Sequence, residues 1–223
     1  MLKESTFEFL SDLRKNNYRE WFQSNRGRYE AAKDDVLSLS ERLIYAINDF
    51  DHSLGIIDPK KTMFRINRDI RFSQDKRPYK DNMGIVFHRG GGRHGEDACY
   101  YVHVEPGACF LACGVYMPSA PVLKSLRTFI NDEWSEFEKI ITDSDFVEKW
   151  GGLDMDVKKL KRVPAGFPAD SPAAEYLKLT AYESMRYVPD DMLRDENSFG
   201  EILGIFRAAV PFNGFINGVI DNM

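Results

Sequence analysis

The sequence predicts an α+β fold: a central antiparallel sheet over about residues 62–116, packed by N-terminal and C-terminal helices. Apolar residues recur at spacings of three and four through the first fifty positions, the period drops to two between Thr62 and Tyr116, and the helical period returns after Pro121. Hydrophobic residues make up 43% of the 223, enough for a sizeable core, and no repeat or linker-like stretch interrupts them. A single domain over 1–223 is expected.

At the start, Ser5 and Glu8 have capping-box spacing ahead of the face formed by Phe7, Leu10 and Leu13 or Arg14. After Asn16-Asn17, the aromatics Tyr18, Trp21 and Phe22 mark a second short helical turn. Tyr29, Ala32, Val36, Leu39, Leu43 and Ile47 then form the apolar stripe of a longer helix that ends near Asn48, before Gly55 and Pro59. From Thr62 onward Phe64, Ile66, Ile70 and Phe72 alternate with Arg65, Asn67, Asp69 and Arg71, and Arg68 falls on the apolar side. Ile85–His88 reads as another strand, followed by a glycine-rich loop over Arg89–Asp97. Cys99–Glu105 and Cys109–Tyr116 read as a hairpin turning at Pro106-Gly107. Pro121 suits a helix first turn ahead of Leu123, Leu126 and Ile130, and Trp134, Phe137, Ile140 and Ile141 form the next apolar face. Gly151–Pro189, rich in proline, is expected to be irregular, with a short basic strand or turn at Lys158–Arg162. Ser198 with Glu201 opens a last helix that Pro211 kinks or restarts.

Composition narrows the function classes. The first seventeen residues interleave charges with apolar residues, unlike a secretory signal, and no run approaches the roughly 20 apolar residues of a membrane span. Cys99, Cys109 and Cys113 form an odd set without a CxxC pair, which fits a reducing compartment and buried, inert thiols. A soluble cytoplasmic protein that engages no membrane is therefore expected.

Charge supplies the strongest functional signal. Eight Lys or Arg lie between Lys60 and Lys80 against only Asp69 and Asp75, a local balance of +6 in a chain that carries −5 overall. Like charges held together repel unless something compensates them, so this cluster points to an anionic partner. Arg65, Arg68, Asp69, Arg71, Lys76, Tyr79 and Lys80 are the candidate ligand-binding residues. Arginine forks suit bidentate contact with a carboxylate or phosphate, and Tyr79 offers a hydroxyl or a stacking face. The alternative is structural: Arg68, Asp69 and Arg71 pair internally to pin a strand end.

The motif running from Arg68-Asp69 through Arg71-Phe72-Ser73, Asp75-Lys76 and Pro78-Tyr79-Lys80 resembles the signature of a widespread microbial family, domain of unknown function 2461. The likeness extends to Phe7, Phe9-Leu10, Asn16-Asn17, Trp21-Phe22, Tyr100-Tyr101-Val102-His103, Gly114-Val115-Tyr116 with Pro118, Arg127, Val163-Pro164 and Gly166-Phe167. It implies one intact domain and marks the central motif as the family's signature. It assigns no activity, cofactor or catalytic residue.

Further sites follow from the residues alone. Tyr101, His103 and Glu105 share one face of a strand, an arrangement suited to acid/base chemistry if the basic cluster meets it, and otherwise an ordinary solvent-facing polar row. The RGGGRHGED loop lacks the GKS or GKT ending of a phosphate-binding loop and reads as a hairpin tip. His88, His94, His103 and Glu105 lack metal-site spacing, so no metal is expected. Lys158, Lys159, Lys161 and Arg162 read as a solvated charge run that can also reach the rim of the central site. The leading reading is a small phosphate- or carboxylate-bearing ligand bound at the cluster, with Tyr101 or His103 near the chemistry if the protein is an enzyme. An RNA or single-stranded DNA module is a second reading, set against a pI of about 5.5 and the lack of a nucleic-acid motif. A protein-interaction scaffold is the third.

Overall fold

A computed structural model describes residues 1–71 and 74–223. Along the chain run α1 (Glu4–Lys15), α2 (Arg19–Ser24) and α3 (Arg26–Asn48), then β1 (Met83–Phe87) and the hairpin β2 (Cys99–Val104) and β3 (Phe110–Val115). Next come α4 (Ala120–Asp132), α5 (Trp134–Ile141), α6 (Ser144–Trp150), α7 (Ala174–Leu177) and β4 (Tyr182–Tyr187). Three helices close the chain: α8 (Asp190–Arg194), α9 (Phe199–Ala208) and α10 (Val210–Asp221). The strands form an open antiparallel sheet in the order β1-β2-β3-β4, so the fold is α+β, as the sequence predicts. No single helix among the described residues is long and apolar enough to cross a membrane.

Two elements differ from expectation. The Thr62–Lys80 segment keeps its alternation, with Ile66 buried between exposed Arg65 and Asn67, yet its described residues form no strand of the sheet: the isolated bridge Met63↔Ile85 ties it to β1, and Asn67↔Tyr79 joins its own two limbs. The Asp69 and Asp75 carboxylates accept the backbone N–H groups of Arg71 and Arg77, two residues on, which turns the chain and takes those donors from any ladder. Phe72, placed by the alternation beside Ile70, lies outside the described residues, as does Ser73. The fourth strand, β4, comes from the stretch expected to be irregular; within that stretch the basic run makes one bridge, Lys159↔Leu179.

By its contacts the chain divides into two compact units, each assembled from separated stretches. The first comprises Met1–Arg93, Tyr101–Leu111 and Tyr187–Leu203. Here α1 lies on α3, burying Phe9, Leu10 and Leu13 with Val36, Leu39 and Leu43. The capping box expected at Ser5 does not form, because Ser5 lies inside α1. Asp35 of α3 caps the helix instead, its Oδ2 accepting from Lys3 N at 2.8 Å and Thr6 Oγ1 at 2.6 Å.

The second unit comprises His94–Tyr100, Ala112–Arg186 and Gly204–Met223. Its core is aromatic, with Phe137 in ring contact with Trp134, Tyr176, Tyr182, Phe212 and Phe215. Two buried asparagines one turn apart on α10 satisfy backbone N–H groups in β3 and just ahead of β2. Asn213 Oδ1 accepts from Gly114 N at 2.9 Å, and Asn217 Oδ1 accepts from Ala98 N at 2.8 Å. Pro211 sits in the first turn of α10, so it restarts a helix rather than kinking one.

Candidate functional site

The basic segment folds back on itself in the first unit. Arg68 N donates to Pro78 O at 3.0 Å and Lys80 N to Ile66 O at 2.8 Å, on either side of the Asn67↔Tyr79 bridge. Asn17 locks the returning limb, its amide donating to Tyr79 O and accepting from Tyr79 N, both at 3.0 Å. The Tyr79 ring is buried against Phe22, centroids 4.0 Å apart, so Tyr79 sets the register of its neighbour from inside the core. That neighbour, Lys80, is half-buried with its ammonium 5.4 Å from the Phe64 ring centroid. Burial lowers its pKa first, and repulsion from Arg65 and Arg68 lowers it further.

Most other charges of the cluster are matched internally. Arg71 pairs with Asp69 at 2.7 Å, Arg77 and Arg68 with Asp75 at 2.8 and 3.1 Å, and Lys76 Nζ donates to Ile70 O at 2.9 Å. Hydrogen bonds from Arg77 hold the Asp75 carboxyl down at about 2, and those from Arg71 hold Asp69 well below the usual carboxylate range. A residue outside the candidate ligand-binding set extends the network: Arg14 of α1 bonds Asp81 at 3.1 Å and Glu105 at 2.8 Å, and Arg77 reaches the same Asp81 at 3.3 Å. The side chains of Arg65 and Lys80 make no hydrogen bond or ion pair among the described residues.

The polar row of β2 meets this cluster, as its functional reading requires. Tyr101 Oη lies 2.9 Å from His103 Nδ1, and His103 Nε2 lies 2.9 Å from Glu105 Oε2. With Glu105 paired to Arg14 at 2.8 Å, the His103 proton belongs on Nε2, where it donates to Glu105 Oε2; Nδ1 is left to accept from the Tyr101 hydroxyl. Burial lowers the His103 pKa first; the hydrogen bond to Glu105 opposes this and the Lys80 charge adds to it. The imidazole is therefore neutral at pH 7 and able to take a proton through Tyr101. Phe110 of β3 holds the ring in place, stacked at 4.4 Å and 12°.

Gly84 of β1 makes the row possible. A Cβ there would stand 2.3 Å from Tyr101 Oη and 3.0 Å from two ring carbons, so only glycine lets Tyr101 lie across β1 toward Phe64. Gly84→Ala is expected to lower stability by about 1–3 kcal/mol through overpacking and to break the Tyr101–His103 bond. Urea unfolding reads the first effect, and a shifted NMR titration of His103 reads the second. An unchanged titration would show that Tyr101 is placed by other contacts.

The remaining sequence candidates fall elsewhere. Arg93 of the glycine loop is tied to Met63 O at 2.8 Å. Burial pushes the Cys99 and Cys109 thiols up to about 12 and Cys113 well above its ordinary value, which leaves all three protonated and inert. Lys158, Lys159, Lys161 and Arg162 are exposed in the second unit. A separate cleft of about 510 Å³ in the first unit is lined by Phe7, Glu8, Pro106 and Asp190, with Arg28 paired to Asp12 and Arg194 to Glu4. Its cations are matched, so it offers an anion little. Gly84, Asp81 and Phe110 were missing from the sequence-derived set, and the signal for Phe110 was its place opposite the polar row in the hairpin.

No curated protein and no solved structure matches the chain. A family model described as a conserved hypothetical protein (DUF2461) matches residues 5–215, a span that holds the folded-back basic segment, the β2 row and Arg14, and the chain belongs to that family.

Proposed function

We propose that the first unit binds a small molecule carrying a phosphate or carboxylate group, held by Lys80 and Arg65 with Arg68 behind them. Tyr101 and His103 stand beside the bound group and exchange protons with it. The observation that carries this reading is Lys80: a half-buried ammonium, crowded by two guanidinium groups, with no acid paired to it among the described residues. The four acids of the network, Asp69, Asp75, Asp81 and Glu105, are each engaged by Arg71, Arg77, Arg68 or Arg14, which leaves Arg65 and Lys80, beside an exposed Lys76 that serves Ile70 O, without an acid among the described residues. An incoming anion compensates that charge. Tyr79, inside the core, supports Lys80 and stands outside the ligand shell.

A thermal-shift screen against inorganic phosphate, phosphorylated metabolites and di- and tricarboxylates tests the proposal. A ligand at a hundredfold excess over its Kd adds about 2.7 kcal/mol, which for a chain of this size raises Tm by about 5–10 °C. Lys80→Met is expected to abolish that rise while making the ligand-free protein melt higher, because it removes a desolvated, repelled charge. Lys76→Ala, whose ammonium already serves Ile70 O, is expected to keep the rise. A Lys80→Met protein that melts lower without ligand, or still responds fully to the same anion, would overturn the assignment.

A further inference from the structure

The Lys80 amine has surroundings unlike those of other lysines in the chain. The Lys76 ammonium serves Ile70 O, and those of Lys149 and Lys178 pair with Glu148 and Glu175 at 2.7 and 2.5 Å. The Lys80 side chain makes no hydrogen bond or ion pair among the described residues. It is half-buried, and it rises from a fixed point: Lys80 N is bound to Ile66 O at 2.8 Å, next to a Tyr79 that Asn17 clamps and Phe22 stacks. The nitrogen lies 5.4 Å from the Phe64 ring centroid. Arg65 adjoins Ile66 on the facing limb. With limbs about 4.8 Å apart and a rise of about 3.3 Å per residue, the Lys80 and Arg65 side chains start from Cα atoms roughly 6 Å apart. A lysine in water is a poor nucleophile because a proton occupies its nitrogen lone pair, and desolvation beside other cations frees that pair. Both conditions hold here: burial first, then Arg65, then Arg68 disfavour the charged amine.

We propose that Lys80 is a nucleophile that forms an imine with a 2-oxo carboxylate, whose carboxylate is held by Arg65 and whose oxo carbon faces the Lys80 nitrogen. The inference rests on the anion-binding reading above and deepens it, naming the ligand class and giving Lys80 a covalent role. A carboxylate bonded directly to the reacting carbon suits two heads that rise side by side, and the Phe64 ring offers an apolar wall to the rest of the ligand. In the step, the nitrogen lone pair forms the N–C bond while the C=O π electrons move to oxygen. That oxygen leaves as water with two protons from the lysine nitrogen, and the C=N bond forms. An ammonium and an oxo acid thus give a protonated imine and water, with no oxidant, reductant or net proton. The positive charge left on nitrogen is answered by the ligand's own carboxylate.

Trapping with sodium cyanoborohydride, which reduces C=N to a stable secondary amine, tests this on the full chain, with peptide mass spectrometry as the readout. With pyruvate, the peptide holding Lys80 is expected to gain the mass of one pyruvic acid less one oxygen, at least tenfold more often than peptides holding other lysines. Methyl pyruvate has the same oxo carbon without the charge and is expected to lose that selectivity. Lactate, a carboxylate without an oxo carbon, is expected to leave no label and to slow labelling by pyruvate. Lys80→Arg keeps a cation but no nucleophile, so it is expected to lose the label and to keep the rise in Tm with lactate. Labelling spread evenly over the lysines, or equally selective for Lys80 with methyl pyruvate, overturns the imine. If pyruvate and lactate nonetheless raise Tm, and Lys80→Arg retains the rise, the anion site stands without the covalent step. If neither compound raises the wild-type Tm and no selective label appears, both readings fail for carboxylates of this kind.

Discussion

Gly114→Ala is expected to destabilise the protein by about 4 kcal/mol, enough to remove much of the stability of an ordinary domain. Gly114 lies in β3 with φ near +96°, a conformation that costs an L-residue about 1–2 kcal/mol by itself. The added methyl would also stand 2.2 Å from Tyr182 O, 2.8 Å from Phe212 Cε1 and 2.9 Å from the Cα of Glu183. Two of those three atoms are backbone of the neighbouring strand and cannot swing away. Any retreat of β3 would also stretch the bond from Gly114 N to Asn213 and loosen the Asn213 contact with Cys99 O. Gly107→Ala is the control: its φ is near +79° but nothing lies within 4 Å of the new Cβ, so it pays the strain alone. Urea unfolding of the two variants separates strain from collision, and equal losses would mean that β3 and β4 can part at no cost.

The helices and the hairpin were legible in the sequence because local periodicity and burial agree there. The stripe from Ala32 to Ile47 is the buried face of α3, and Pro106-Gly107 is the turn of the β2-β3 hairpin. The misreadings have two causes, a long-range partner in place of a local one and polar side chains turned inward. Ser5 and Glu8 have the spacing of a cap, but Asp35, 29 residues from Thr6 in sequence, does the capping. β4 was hidden because Tyr182-Glu183-Ser184-Met185-Arg186-Tyr187 turns a carboxyl and a hydroxyl inward, which breaks the apolar alternation that marks a strand.

The site was half legible for the same reason. Charge counting singled out Lys80 and Arg65 as candidates, since a surplus of like charge shows in sequence whatever the fold, and strand alternation singled out Tyr101, His103 and Glu105. It could not distinguish the cations already answered from those left over, because Arg14, which neutralises Glu105 and Asp81, lies 91 and 67 residues away from them. Pairing leaves exposed Arg65 and half-buried Lys80 beside one another with no side-chain hydrogen bond or ion pair among the described residues. The same logic explains Gly84, whose importance is the absence of an atom and which no propensity or period reveals.

A stability slope with pH is expected from the second unit and is assigned to Glu183. This β4 residue is 9% exposed, and burial first, then the charge of Asp154, raises its carboxyl to about 7 from an ordinary value near 4.5. The folded state therefore binds a proton more tightly than the unfolded state, so the contribution is fully present below about pH 4.5 and is lost as pH rises through 7. By pH 8 the buried carboxylate costs about 3 kcal/mol relative to its protonated form. Glu183→Gln, which keeps the shape and stays neutral, is expected to match the wild type near pH 4.5 and to exceed it by about 2–3 kcal/mol at pH 8. His103 works in the opposite direction, since its lowered pKa weakens the fold as pH falls below about 6.5, but it is common to both proteins and cancels in the difference. Urea denaturation of the pair at several pH values reads that difference directly. A gap that is the same at pH 5 and pH 8 would mean that Glu183 is already ionised in the folded chain, with Asp154 turned away from it.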